Sequence, residues 1–234
     1  MTAKPGPPDR AASGERQPAD EMTSQPYTQP HPYFGQWGED RWLVDHLPVP
    51  AQGVFVDVGA GDGVRGSNSL YFERLGWTGL CVDPDPRNRA PLAKRSCVVR
   101  HCAVSDTAGE QTFSQYDAKP SWSGLGDRGH GYTVITVHCL RLEDLLRDLG
   151  IERIDLLSID VEGAELDVWS SFDPAEHRPG IVIIEYDAKD PDRSEERIVR
   201  ALGADRFEVI HRTPANLILR GLDAESQRRW RHAG

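Results

Sequence analysis

Asp57-Val-Gly59-Ala-Gly61-Asp-Gly63 sets a carboxylate two residues ahead of three alternate glycines, directly behind the apolar start Val54-Phe-Val56. Glycines at that spacing let the chain turn sharply and bring its backbone against a ligand with no Cβ in the way. Asp83-Pro84 closes a second apolar run, Leu80-Cys-Val82. A carboxylate at such a strand end can accept both hydroxyls of a ribose, although an aspartate before proline is also an ordinary turn-former. A third group is wholly acidic: Asp160, Glu162 and Glu165 at one corner, with Glu185 and Asp187 behind the next apolar run. So many carboxylates repel one another unless a ligand cation, a divalent ion or arginines stand among them. For Glu162 and Glu165 the N-terminal turn of a helix is a simpler reason for negative charge.

The glycine loop discriminates between nucleotide cofactors. A dinucleotide fingerprint requires glycine or alanine where Val64 stands, and a phosphate-binding Walker loop requires a lysine that is absent. Asp57 would repel a pyrophosphate, and it suits the amino-acid ammonium of S-adenosylmethionine. An NAD-linked oxidoreductase is therefore the weaker alternative. A non-catalytic S-adenosylmethionine-binding protein is another, and it would leave the acidic group without a purpose.

The elements that must position these residues alternate. Val54–Val58, Leu80–Val82, Cys97–Val99, Ile154–Ile159 and Ile181–Ile184 are short and nearly continuously apolar, as strands covered on both faces are. Cys102–Val104 continues or follows the third. Between them fall Ser69–Leu75, closed by Gly76, and Leu142, Leu145, Leu146 and Leu149 at helical spacing, stopped by Gly150. Gly163–Phe172 reads as a further helix, and Phe207–Ile210 and Leu217–Leu219 as two late strands joined by a turn. The pattern predicts an α/β fold: a doubly wound, Rossmann-like, seven-stranded, mostly parallel sheet with helices on both faces and an antiparallel edge strand. Ser114–Thr133, rich in glycine with Trp122 and Tyr132, reads as a lid or substrate loop. Tyr33, Phe34, Trp37 and Trp42 either cover the cofactor from the other side or simply pack.

Phe55-Val-Asp-Val-Gly-Ala-Gly-Asp-Gly-Val64, Gly66-Ser-Asn68 and Gly76-Trp-Thr-Gly-Leu-Cys-Val-Asp-Pro84 resemble the cofactor half of the FkbM-type methyltransferases. The resemblance runs on through Ala103-Val-Ser-Asp106, Leu142–Leu146, Ile154–Glu165 and Ile183–Glu185, and Phe34–Asp40 resembles that family's entry segment. It implies S-adenosylmethionine-dependent O-methylation of a small-molecule hydroxyl, on a sugar or a natural product. Carried over, it puts Gly59, Ala60 and Gly61 along the methionine portion and the Asn68 amide on the cofactor carboxylate. It puts Asp83-Pro84 at the ribose, and Ser105 and Asp106 near the adenine. Asn68 is otherwise a helix cap, and Asp106 the start of a turn.

Methyl transfer needs an acceptor oxygen in line with the S–CH₃ bond and a group that takes its proton. Asp160, at the mouth of the site, and Glu185, at the next strand end, are the candidates, acting directly or as ligands of Mg²⁺. Many members of the family carry Glu-His-Asn where this chain has Glu185-Tyr-Asp187, so the resemblance fixes neither metal nor base. His130 and His138 are alternative bases.

Composition bounds the rest. Thirty-seven acidic against 27 basic residues give a net charge of −10, which argues against a nucleic-acid surface, and no Asn-Pro-Pro-Tyr motif of base-flipping enzymes occurs. No apolar run is long enough for a membrane span, and no signal-type apolar core opens the chain, which makes the cytoplasm the default location. The four cysteines have no metal-type spacing and read as free thiols. Residues 1–30, proline-rich and apolar-poor, are expected to be a disordered tail; 31–222 form the methyltransferase domain; 223–234 form a polar C-terminal tail. The sequence leaves self-association open.

Overall fold

A computed structural model of the chain describes residues 33–230. The expected tail over 1–30 and the last four residues lie outside them. The first half alternates α1 (Glu39–His46), β1 (Val54–Val58), α2 (Leu70–Arg74), β2 (Thr78–Val82), α3 (Arg89–Leu92) and β3 (Val98–Arg100). Four strands follow: β4 (Ala103–Val104), β5 (Gly109–Gln115), β6 (Gly124–Leu125) and β7 (Thr133–Leu140). The second half runs α4 (Leu142–Asp148), β8 (Leu156–Ile159), α5 (Glu165–Ser170), α6 (Pro174–His177), β9 (Ile181–Glu185), α7 (Glu195–Leu202), β10 (Phe207–Arg212), β11 (Asn216–Gly221) and α8 (Ala224–Arg229).

Seven strands form one sheet in the order β10-β11-β9-β8-β1-β2-β3. All pairs are parallel except those of β11, which runs antiparallel to both neighbours and sits between β9 and the edge strand β10. The apolar runs are continuous because successive residues feed opposite cores. Val56, Val58, Leu157, Ile159, Val182 and Ile184 pack with Leu142, Leu146, Val168 and Ile198 of α4, α5 and α7. Phe55, Cys81, Leu156 and Ile183 face Leu43, Phe72 and Leu92 of α1, α2 and α3 on the other side. Trp230, just past α8, belongs to that second core, fully buried and edge-on to Trp77 at 5.9 Å. The polar residues 223–229 thus end in an anchor, and Asp223 caps α8 by accepting from Glu225 and Ser226 N–H.

A second sheet, β4-β7-β5-β6, is absent from the sequence expectation. β5 and β7 pair antiparallel from Gly109↔Cys139 to Gln115↔Thr133, so much of the stretch read as a loop is bounded by an extended hairpin. Cys102–Val104 turns out to lead into this sheet and does not prolong β3. No helix among the described residues is long and apolar enough to cross a membrane.

The chain moves outward from β1 through β2 to β3, then returns to lay β8 on the other side of β1. That reversal opens a crevice beyond the carboxyl ends of β1, β2 and β8, where doubly wound sheets bind ligands.

Candidate active site

A cleft of about 600 Å³ occupies this crevice. Its floor begins with the glycine loop. Gly59 and Ala60 N–H both donate to the Val82 carbonyl, at 2.9 and 3.1 Å, folding the loop over the end of β2. Gly59 has φ +85°, and a Cβ there would overlap the Asp160 carbonyl oxygen. Gly59→Ala should therefore cost about 3 kcal/mol or more, from left-handed strain plus backbone overlap. The midpoint of urea unfolding measures it, and a midpoint equal to wild type would show that the contact is not tight.

Asp57 lies at the end of β1, buried, with Ser69 Oγ donating to its Oδ2 at 2.5 Å. Burial pushes its pKa up, while the Ser69 hydrogen bond and nearby Arg95 oppose the rise. Arg95 is itself buried beneath the loop, donating to Gly63 O at 2.8 Å and Ser69 Oγ at 3.0 Å and pairing with Glu73 at 2.7 Å. It braces the loop from behind. Asn68 donates its amide to Ser158 Oγ at 3.1 Å, and its Oδ1 is buried without a partner. The amide expected to meet a carboxylate is thus turned to β8, and the atom left over is an acceptor suited to a cation.

The other end of the cleft is built around Asp83. One oxygen accepts from Gly61 N–H at 2.9 Å, the other from Asp85 N–H at 3.0 Å and Asn88 Nδ2 at 2.9 Å. Burial raises its pKa to about 7. Pro84 lines the wall beside it, and Asp85 ties this corner to the second sheet through Gln115 Nε2 at 2.7 Å. Val82, Cys102, Ala103, Val104, Phe113 and Leu125 form an apolar slot. Ser105 and Asp106 do not line it, contrary to expectation. Ser105 N–H bonds Leu140 O and its hydroxyl meets Asp106, which is exposed, because β4 has already joined the second sheet.

Asp160 and Glu162 form the acidic side of the cleft. Burial first, then Glu162, Glu165 and Asp57, raise Asp160 to about 8. Glu162 holds φ +59°, unusual for a residue with a side chain, and its carbonyl is gripped by Arg128. Glu165 is turned inward, accepting from Gly163 N–H at 2.7 Å and pairing with Arg193 at 3.3 Å. Glu185 contacts Arg193 directly and does not line the cleft. Burial and then Asp160 push the Glu185 carboxyl up, and Arg193 opposes them. One carboxylate oxygen each from Asp160, Glu162 and Glu185 lies within 4.8 Å of the others.

Neither histidine reaches this corner. His138 points outward from β7 opposite Glu110, because Val137 and Cys139 on either side of it take the inward positions, and His130 is exposed. Of the entry segment, Gln36 borders the cleft. Tyr33 stacks on Tyr71 at 4.8 Å, and Trp42 stacks on His211 at 4.4 Å. Sequence reasoning did not single out Asn88, and Arg95, Ser158, Arg128 and Arg193 carry no signal there because Glu73, Asn68, Glu162 and Glu165, which they meet, are distant along the chain.

Residues 57–207 match the family model described as the methyltransferase FkbM domain. The methyltransferase sdnD of Sordaria araneosa is 30% identical, the match covering 55% of this chain and 64% of that protein. The 2-O-methyltransferase NoeI of Sinorhizobium fredii is 30% identical, covering 55% of this chain and 60% of that protein. The AMB antimetabolite synthetase AmbE of Pseudomonas aeruginosa is 26% identical, covering 56% of this chain and 8% of that protein. The chain spans less than two thirds of the length of each. The family match takes in well over half of the residues, including the glycine loop, Asp83 and the acidic corner: the chain belongs to the FkbM methyltransferase domain family.

Proposed function

We propose that the protein transfers a methyl group from S-adenosylmethionine to a hydroxyl of a small molecule, a sugar or natural-product acceptor. One observation carries the reading: the carboxylates of Asp160 and Glu162 border the same cleft as the glycine loop and Asp83. The residues present fit the cofactor. Asp57 and the orphaned Asn68 Oδ1 suit an ammonium, Asp83 suits a ribose, and the slot around Val104 and Phe113 suits a flat base. S-adenosylmethionine, when bound, supplies an electrophilic methyl on a sulfonium.

The chain's own task is to orient the acceptor and remove its proton. Asp160, raised toward neutrality, is the base this reading favours, because a catalytic pKa works best near the operating pH. Glu185, paired with Arg193, supports it from behind. A second reading has Asp160 and Glu185, joined by Glu162, hold Mg²⁺ that lowers the pKa of the acceptor hydroxyl; the spacing of their oxygens favours it.

Incubation with methyl-labelled S-adenosylmethionine and a panel of sugars and hydroxylated natural products tests both. Labelled methyl ether is the expected product. Binding of S-adenosylhomocysteine with no transfer to any hydroxyl compound would leave a binding protein, and binding of NADH alone would overturn the cofactor assignment. Turnover that survives EDTA supports Asp160 as the direct base. Turnover abolished by EDTA and restored by Mg²⁺ supports the metal.

A further inference from the structure

The amino-acid end of S-adenosylmethionine carries two charges, and the floor of the cleft answers only one. Asp57 and Asn68 Oδ1 are acceptors, suited to the ammonium. Six acids border the cleft, Asp57, Asp62, Asp83, Asp85, Asp160 and Glu162, and a ligand carboxylate placed among them would be repelled unless a cation met it. Among the described residues only two basic ones are on the cleft wall, Arg65 and Lys119. Lys119 is held 4.1 Å above the Trp122 ring, on the side of the second sheet.

Arg65 belongs to the same turn as Asn68. Ser67 N–H reaches back to Val64 O at 3.4 Å, Gly66 takes φ +69°, and Arg65 occupies the outer corner three residues before Asn68. Its backbone is fixed, since Val64 and Arg65 N–H both donate to Asp62 Oδ1 at 2.8 Å. Its side chain is exposed, and among the described residues its guanidinium meets no carboxylate. The other arginines nearby are committed. Arg87 holds Asp85 and Asp117, Arg95 holds Glu73, Arg128 holds two carbonyls, and Arg193 holds Glu165 and Glu185. A planar guanidinium matches a carboxylate in a paired geometry that lysine lacks.

We infer that Arg65 binds the cofactor's amino-acid carboxylate, so that the Arg65–Asn68 turn and Asp57 together read the zwitterion. The assignment rests on S-adenosylmethionine being the cofactor. It makes the amino-acid half of the ligand, and not the nucleoside alone, a determinant of recognition.

Calorimetric titration of wild type, Arg65→Gln and Arg65→Lys with S-adenosylhomocysteine and with 5′-methylthioadenosine, which lacks the amino-acid portion, tests it. Arg65→Gln is expected to weaken S-adenosylhomocysteine about tenfold or more while 5′-methylthioadenosine changes by less than about twofold. Arg65→Lys should fall between. Unchanged S-adenosylhomocysteine affinity in Arg65→Gln, or equal loss of both ligands, overturns the Arg65 assignment and leaves the cofactor reading standing. A wild-type protein that binds neither compound overturns the cofactor reading itself.

Discussion

Asp160→Asn should lower kcat for methyl transfer by about 10²–10⁴-fold while S-adenosylhomocysteine affinity stays within about threefold. The substitution keeps the shape and removes the group proposed to accept the proton. Asp160 is held up near 8 by burial and by three neighbouring carboxylates, so in the free protein it ionises only as the pH rises through that value. A base must be ionised to act. Wild-type activity should accordingly rise with pH and level off at a break no higher than about 8, lower if the bound sulfonium favours the charged form. The same crowding means that Asn should not destabilise the fold, because it replaces a carboxyl that burial and its neighbours disfavour in the charged form. An Asp160→Asn protein that keeps full kcat would remove this residue from the mechanism, and a lowered melting temperature would show that it acts as scaffold.

Asp83→Ala should weaken S-adenosylhomocysteine by about 1.5–3 kcal/mol, the range for hydrogen bonds to a charged group. It should also destabilise the fold by about 1–3 kcal/mol, read from urea unfolding, because Gly61 N–H, Asp85 N–H and Asn88 Nδ2 all lose their acceptor. The strand-end position of Asp83 implies a residue free to serve a ligand; the structure gives it a second duty in holding the loop. Its pKa rises from 3.8 to about 7 on folding, so the ionised form is disfavoured in the empty protein. The stabilising contribution of the protonated group is complete below about 4 and is lost as the pH rises through 7. Ribose hydroxyls donate best to the carboxylate, so cofactor binding has the opposite trend. It should tighten as the pH rises to 7 and weaken below, by up to about tenfold per pH unit. Calorimetry between pH 5.5 and pH 8.5 reads this (a range of about three units around the transition), and Asp83→Asn should flatten the profile. Wild-type affinity in Asp83→Ala would place the ribose elsewhere.

The cofactor end was legible because its residues stand where chain geometry is simplest. Apolar runs buried on both faces announce β1, β2, β8 and β9, and whatever follows their last residue must lie at the rim of the crevice. Asp57, Gly59, Asp83 and Asp160 are expected at that rim on this ground, and all four border the cleft. The second sheet was missed although Thr133–Leu140 does alternate, with Val137 and Cys139 in and Thr136 and His138 out. Exposed Val134 interrupts the apolar alternation at its start, so residues 134–140 carry no strand expectation from sequence. Ser105 and Asp106, which the resemblance puts near the adenine, follow β4 of that second sheet and do not border the cleft. Arg95 reaches Glu73 across 22 residues and Arg193 reaches Glu165 across 28, and no local pattern encodes such a pairing. Trp230 was hidden by its polar neighbours: one large side chain is enough to seat a helix that composition reads as surface.

Gly59 and Asp160 meet backbone to backbone, on strands held in register from Phe55↔Leu156 to Val58↔Ile159. The offset between the glycine loop and the Asp160 carboxylate is therefore an inter-strand spacing, about 4.8 Å in any sheet. Neither the 103–140 hairpin region nor the 187–194 loop helps to set it. Residues 118–123, which border the cleft, can be exchanged, lengthened or recoloured while that spacing stays constant. The scaffold divides its labour between an invariant ruler at the centre of the sheet and interchangeable jaws around it.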